Sequence, residues 1–538
     1  MKSMIVCPEP LAAEVGASVL ARGGNAADAA VAAAFAQGVT NPFLCGLSGT
    51  AILMHLDAAG RPTVLNGECE IGSAPVPPAW VAGLRGRSEA IGRFIIDGEP
   101  NQIGPTSVMV PGFVAACHDL FSRFGSGKLR WAELLEPSIR LAADGFAVYP
   151  YIASGWAKGD DGQGSERPGY PTLRQKFARD PAAAAIYMKP DGSGYAVGET
   201  LRQPDYATTL DQLARAGAQD FYDGAIGRAV GEDLARRGSL VQPADLANYR
   251  IVEQRALRGS YRGTEILTTP PPSPGVQLLQ MLAILGRVGV GRWDDDRAAV
   301  VARVSAAMRA GFRDNLDIKA VLLDEAEAWA ARVMTPARLD AWAGRITAGD
   351  LIDGSLPLPG TGTTHQVVVD DAGAIVTFTH SVGSVAGSGS VTPGLGFLHN
   401  NFLGHFDPRP GRQMSILPGR RIGSGLPTVV RRAGRSLVAI GAPGGSRIIT
   451  SVLQALVHVL DHGMTIEDAV ASLRFHSEEA LLLHLEPGWD EATAAALRAR
   501  GLTVQANSYQ ARVVAIAFDE GGTPHPGADP RGGAVGRG

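Results

Sequence analysis

The stretch PGTGTTHQVVVDDAGAIVTFTHS, residues 359–381, decides how this chain is read. A run of small residues and two adjacent threonines stand directly before an apolar, β-branched segment. DDAG then supplies a turn, and a second apolar run ends in Thr-His-Ser. The pattern is that of a β-hairpin. Antiparallel pairing about a centre near Ala372 sets Thr363 opposite Ser381. Two hydroxyls facing each other at the mouth of a buried hairpin, with Gly362 just before the first, suit an N-terminal nucleophile. The hydroxyl of Thr363 attacks the preceding carbonyl and breaks the Gly362–Thr363 bond, and the released α-amine becomes the base for that hydroxyl. Such an amine titrates near 8, so a useful fraction is neutral around neutral pH.

The remaining chemistry of that reaction is an oxyanion site. In GAPGGSRIIT, Gly444 and Gly445 stand where a strand gives way to a helix, so adjacent N–H groups can face a developing negative charge. Competing motifs are missing: there is no GxxxxGK[ST] or strand-GxGxxG-helix unit for a nucleotide, and no GxSxG elbow. The glycines of GSVAGSGSVTPGLG therefore read as loop.

Composition bounds the alternatives. The chain has 538 residues, 45% hydrophobic and 19% charged, with a net charge of -4. This exceeds one simple core and carries no polyanion-binding signature, so neither nucleic acid nor membrane is expected as a partner. MKSMIVCPEPLAAEV lacks the continuous apolar core of a signal peptide, and no run is long enough to span a bilayer, which points to a cytoplasmic protein. Cys7, Cys45, Cys69 and Cys117 show no CxxC spacing and read as buried thiols. The histidines form no HExxH pair, so neither a metal nor a cofactor is expected.

Along the chain, LAAEVGASVLARGG reads as a helix stopped at Gly23. Asn25 then caps AADAAVAAAFAQG, with Asp28 completing a capping box. TAILMHLDAAGRPTVLN reads as a hairpin. Helical patterns dominate from about residue 105 to 345 and strands return at Thr364, with SLVAIGAPG and RVVAIAFD following. RIITSVLQALVHVLDHG and DAVASLRFH read as helices, the second capped by Thr465. This succession predicts a layered fold with mixed sheets and no regular βαβ repeat. The Pro/Gly/Arg-rich segment 408–427 and the tail GGTPHPGADPRGGAVGRG read as loop, linker or disorder.

In order along nearly the whole chain, GGNAADAAVAAAFAQGVTNP, VPGFVAACHDLFSRFG, EPSIRLAADGF, FYDG, ADLANYR, PPSPGVQLLQML, TTHQVVVDDAG, GLGFLHNNF, APGGSRIITSVLQ, RFH and ADPRGGA resemble the γ-glutamyltransferase (γ-glutamyltranspeptidase) family of N-terminal nucleophile hydrolases. The resemblance implies an α+β fold, a four-layer αββα sandwich, and a zymogen that cleaves itself. A large subunit of residues 1–362 and a small subunit of residues 363–538 would stay associated in one αββα domain; homo-oligomers of such heterodimers are compatible with it. It also implies a small-molecule amide as substrate.

Carried over by position, Thr363 resembles the family's nucleophile, Ser381 its supporting hydroxyl, and Gly444 and Gly445 its oxyanion glycines. Ser424 matches the first of a serine pair near the substrate, whose second place holds Gly425. Thr364 and His365 would shape the new terminus. Four positions depart from the family: Gly67 stands at an arginine that binds the α-carboxylate, Gly383 at an asparagine, Phe402 at an acidic or amide residue, and His405 at the aspartate that holds the α-amino group. The resemblance implies a self-processing amidohydrolase or acyltransferase that cleaves a small amide, of a γ-glutamyl-like or another acyl group, through an acyl-enzyme; the missing glutamyl clamp points to a changed acyl group, with oxamate-amidohydrolase-like or cephalosporin-acylase-like specificity as the alternative. His405 or His380 could then meet an anion or carbonyl. A non-catalytic binding member is the alternative of another class.

Overall fold

The computed structural model describes residues 2–88, 92–157, 171–354, 362–508 and 510–538. Residues 359–361, at the start of the hairpin segment, lie outside the described residues. Two large sheets are stacked between two helical layers. From edge to edge the seven-stranded sheet runs Val535–Arg537, Met4–Cys7, Thr364–Val369, Ile375–Ser381, Thr50–Leu56, Pro62–Gly67, Val252–Gln254. The six-stranded sheet runs Pro524–Ala528, Val514–Phe518, Arg435–Gly441, Thr428–Arg432, Thr264–Thr268, Leu257–Tyr261. Every pairing in both is antiparallel. The expectation of mixed sheets is corrected here: consecutive strands mostly join by hairpins, which impose antiparallel order. The α+β, four-layer αββα sandwich is the fold found.

Strand alternation separates the layers. Ile52, Met54, Val367, Val369, Val429, Ala439 and Ile516 point between the sheets and form the middle core. Their neighbours Leu53, Val368, Val376 and Phe378 point outward into a core with the helices Ala26–Thr40 and Phe113–Phe124. The helices Gly275–Val288, Arg297–Asp314 and Arg447–Leu460 cover the other sheet. The alanine-rich helix Ala26–Thr40 is buried along its whole length, and small side chains are what allow it to sit within a close-packed layer. Its Asn25 cap and Asp28 capping box form as expected, as does the Thr465 cap.

The helix read in DAVASLRFH ends at Ala471, and Phe475–His476 is a short strand. Segment 408–427 is not a linker. It carries buried Ile416, Arg420, Arg421 and Ile422, and Arg421 donates to the Asn66 carbonyl at 2.6 Å and pairs with Glu70. The tail supplies an edge strand to each large sheet and is anchored by Asp529, which pairs with the buried Arg474 at 2.5 Å. Proline and glycine suit such edges, where few N–H groups must join a ladder. All four cysteines are free and buried. No helix among the described residues is long and apolar enough to cross a membrane.

Candidate active site

The hairpin pairs as the sequence requires: Thr364 opposes His380 and Val369 opposes Ile375, so Thr363 and Ser381 come next in register. Both point to the inner face of the sheet, because they share the parity of Val367 and Val369. The Thr363 Oγ lies 2.7 Å from the Gly362 carbonyl oxygen and 3.4 Å from the Ser381 Oγ. The Ser381 hydroxyl donates to the same Gly362 oxygen, while the Gly383 N–H donates to Ser381 Oγ at 2.9 Å and fixes its orientation. Two hydroxyl groups thus meet on the carbonyl of the bond before Thr363. From the other side, Arg512 donates to the Thr363 carbonyl at 3.4 Å.

These groups open into a cleft of about 600 Å³, mouth included, where the Thr364–Val369 strand begins and the Arg435–Gly441 strand ends. Thr363, Ser381, Gly383, Phe402, His405, Ser424 and Gly445 line it together, though they are far apart in sequence. Gly444 stands behind Gly445 at φ 139°, and a Cβ there would meet Ala511 at 2.7 Å, so only glycine fits. Neither the Gly444 nor the Gly445 N–H donates to an acceptor among the described residues, as an oxyanion site requires.

At Gly383, φ is 103° and a Cβ would lie 2.3 Å from the Asn401 Oδ1. A larger residue is excluded there because Asn401 fills the space and donates to the Ser384 Oγ at 2.7 Å.

Three of the expected substrate residues lie away from the cleft, each for a reason of alternation or pairing. Thr364 faces the helical layer, where it accepts from Gln37 at 3.0 Å and donates to Glu9 at 2.9 Å. His365 is sealed between the sheets, in hydrogen bonds with Thr379 at 2.8 Å and Thr377 at 3.0 Å. Burial pushes its pKa down to about 3, so it stays neutral. Gly67 pairs with Ala51 and shares the outward parity of Leu65. The segment NGECEIGSAP acts on the cleft only indirectly, through the next residue, Glu68, which lies behind the lining and holds Ser424. Its carboxylate accepts from Thr50, from Ser273 at 3.1 Å, and from Ser424 through N–H at 2.9 Å and Oγ at 2.7 Å. Burial raises its pKa, and those hydrogen bonds oppose the rise. His380 also faces outward, donating to Gln37 at 2.9 Å, and cannot meet a substrate in the cleft.

Three residues that the sequence does not mark also line the cleft. Arg93, Gln277 and Lys319 line the cleft beside His405 and Phe402. Lys319 Nζ lies 3.4 Å from His405 Nδ1. Burial, and then the Arg93 and Arg87 charges, lower Lys319 to about 7; burial, then Lys319, Arg93 and Arg87, hold His405 well below its ordinary value. Isolated basic residues in helices and turns carry no spacing signal, so nothing in the sequence marks them. No group of metal-binding side chains occurs among the described residues.

The model of the gamma-glutamyltranspeptidase family matches residues 12–537. The Acylase ACY 1 proenzyme of Pseudomonas sp. (strain SE83) is 35% identical over 97% of this chain and 91% of its own length. The glutathione hydrolase proenzyme of Bacillus subtilis (strain 168) is 28% identical over 90% of this chain and 82% of its own. In fold, the chain is similar to cephalosporin acylase from Bacillus halodurans, with a TM-score of 0.84 at 24% identity, covering 100% of this chain and 95% of that one. A match across nearly every element, the hairpin of residues 364–381 and the Gly444–Gly445 turn included, makes this chain an enzyme of the gamma-glutamyltranspeptidase family.

Proposed function

We propose that the chain is a self-processing amide hydrolase or acyltransferase whose nucleophile is Thr363, acting on an acyl group other than γ-glutamyl. The observation that carries this reading is the placement of Thr363 Oγ and Ser381 Oγ on the Gly362 carbonyl. In processing, Thr363 Oγ adds to the Gly362 carbonyl carbon while Ser381 O–H holds the oxyanion. Collapse breaks the C–N bond, the hydroxyl proton passes to the departing nitrogen, and water then hydrolyses the ester between Gly362 and Thr363. Subunits of residues 1–362 and 363–538 result. They would stay together because both large sheets take strands from both parts.

In the mature enzyme the α-amine of Thr363 takes the Oγ proton as Oγ attacks the substrate amide. The Gly444 and Gly445 N–H groups hold the oxyanion, and the protonated amine returns the proton to the leaving nitrogen. Water, or an acceptor amine, then resolves the acyl-enzyme. The absence of a glutamyl clamp at Gly67, Gly383, Phe402 and His405, together with the similarity to a protein named as an acylase, supports an altered acyl group. Intact mass of the purified protein tests the reading: two chains divided before Thr363 are expected, and one chain for Thr363→Ala. A wild-type chain that never divides would refute it.

A further inference from the structure

We infer that Lys176 is a positioning residue for self-cleavage, which acts through Ser384 on the loop that seats Gly362 and aims Ser381. The inference rests on Thr363 being the self-processing nucleophile, and adds to it a buried cation from a distant part of the chain.

The first observation is the seat of the scissile residue. Gly362 lies against the backbone that follows Ser381: a Cβ built on it would meet the Gly383 carbonyl oxygen at 2.6 Å, the Ser384 carbonyl carbon at 3.0 Å and the Val385 nitrogen at 3.2 Å. The same loop supplies the Gly383 N–H that fixes Ser381. Residues 383–385 therefore set both the carbonyl that is attacked and the hydroxyl that donates to it.

The second observation is what holds that loop. Its ends are fixed by the Val382 N–H on the Leu44 carbonyl at 2.9 Å and the Ala386 N–H on the Phe43 carbonyl at 2.7 Å. Asn401 clamps its middle, accepting from the Ser384 N–H at 2.9 Å and donating to Ser384 Oγ at 2.7 Å. Lys176 completes the arrangement. Its Nζ donates to the same Ser384 Oγ at 2.8 Å and to the Val385 carbonyl at 2.5 Å, so two donors converge on one hydroxyl oxygen. Bonds from an ammonium are about twice as strong as neutral ones.

The third observation is burial. Lys176 is fully buried, and its stem packs on Gly389, where a Cβ would meet Lys176 Cβ at 2.3 Å. The helix Leu173–Phe177 carries it inward, capped by Thr172 and anchored by Leu173 and Phe177 in the core under the helical layer. A methionine would fill much the same space without the cost of desolvating a charge. It would lose the bonds to Ser384 and Val385. Lys176 belongs to residues 1–362 and its acceptors to residues 363–538, so this contact also joins the two parts that cleavage would separate.

The test follows newly synthesised precursor of the wild type, Lys176→Met, Ser384→Ala and the double variant on denaturing gels. The first-order rate constant of division before Thr363 is read apart from the fraction of chains that divide. Each single variant is expected to lower the rate constant at least about tenfold, the scale of one charge-assisted hydrogen bond. The double variant should be no more than about threefold slower than the slower single one, because both act through one contact. A rate constant near that of the wild type in either single variant overturns the inference, as do effects that multiply in the double variant. A loss confined to the fraction that divides, which a merely structural role would give, overturns it too. Hydrogen exchange on Thr363→Ala precursors judges the contact without cleavage: with Lys176→Met, amides 383–385 are expected to exchange at least about tenfold faster, and unchanged exchange overturns the inference. A wild-type chain that never divides would count against Thr363 as nucleophile, while the exchange comparison would still judge Lys176.

Discussion

Thr363 and Ser381 converge on one acceptor: the two hydroxyl oxygens lie 3.4 Å apart, and each is within hydrogen-bond reach of the Gly362 carbonyl oxygen. Ser381 takes its own acceptor role from the Gly383 N–H at 2.9 Å, which leaves its proton for the carbonyl. Ser381→Ala removes that donor. Losing one oxyanion donor costs on the order of 10²–10³ in rate, so self-cleavage should slow by that amount, and Ser381→Thr should restore most of it. A time course on denaturing gels reads the rate, and unchanged cleavage in Ser381→Ala would remove Ser381 from the mechanism.

The glycine turn makes a separate prediction. Gly444→Ala forces a Cβ onto Ala511 and requires a φ that alanine rarely adopts. Turnover by the processed form should fall at least about 100-fold, with mass spectrometry reporting whether cleavage before Thr363 still occurs. Near-normal turnover of this variant would mean that the oxyanion is held by other groups.

Glu68 joins strand, loop and site, accepting from Thr50, Ser273 and Ser424. Glu68→Ala leaves several buried donors without an acceptor, at about 1–3 kcal/mol for each group left unsatisfied. Urea unfolding should show a loss of about 3 kcal/mol or more. Glu68→Gln, which keeps one acceptor oxygen, should lose less, and KM should rise most in Glu68→Ala, where Ser424 loses both of its acceptors.

The tail gives a test of stability away from the chemistry. Arg474 is buried and paired with Asp529, which also accepts from the Val513 N–H at 2.8 Å. Removing one partner of a buried pair costs about 3–5 kcal/mol, so Asp529→Ala should lower the urea midpoint sharply. For a surface pair such as Arg85–Asp97, with both side chains more than half exposed, Asp97→Ala should leave the midpoint almost unchanged, because solvent screens the pair.

Acidity at the cationic wall follows from Lys319. Its neighbours are Arg93, Arg87 and His405, with the Glu478 and Glu68 charges further off. Its pKa is lowered to about 7, first by burial and then by the Arg93 and Arg87 charges, so its cationic form is held below pH 7 and lost as pH rises through it. Inhibition by a small carboxylate such as acetate should therefore weaken between about pH 6.5 and 8.5, and Lys319→Met should abolish that pH dependence. His365 and His380, both lowered to about 3 by burial, add nothing to the profile in that range.

Much of this molecule is a direct consequence of local sequence. The period-two pattern of residues 364–381 and the DDAG turn dictate a hairpin whose register puts Thr363 opposite Ser381, because antiparallel pairing leaves no freedom once the turn is set. The Asn25 cap, the alanine-rich helix and the glycine pair before Arg447 are likewise local, and their chemistry is carried by residue type. What tertiary structure alone decided is which side of each strand meets the substrate. Gly67, Thr364 and His365 sit next to or within the right segments, but Gly67 and Thr364 point to the helical layer and His365 is sealed between the sheets. The parity of a single residue turns Glu68, and not Gly67, toward Ser424 at the cleft wall. Arg93, Gln277 and Lys319 come from separate turns and helix ends, whose sequences carry no sign that they share a cleft. Only the stacking of two sheets between two helical layers brings their polar groups to the same place as Thr363.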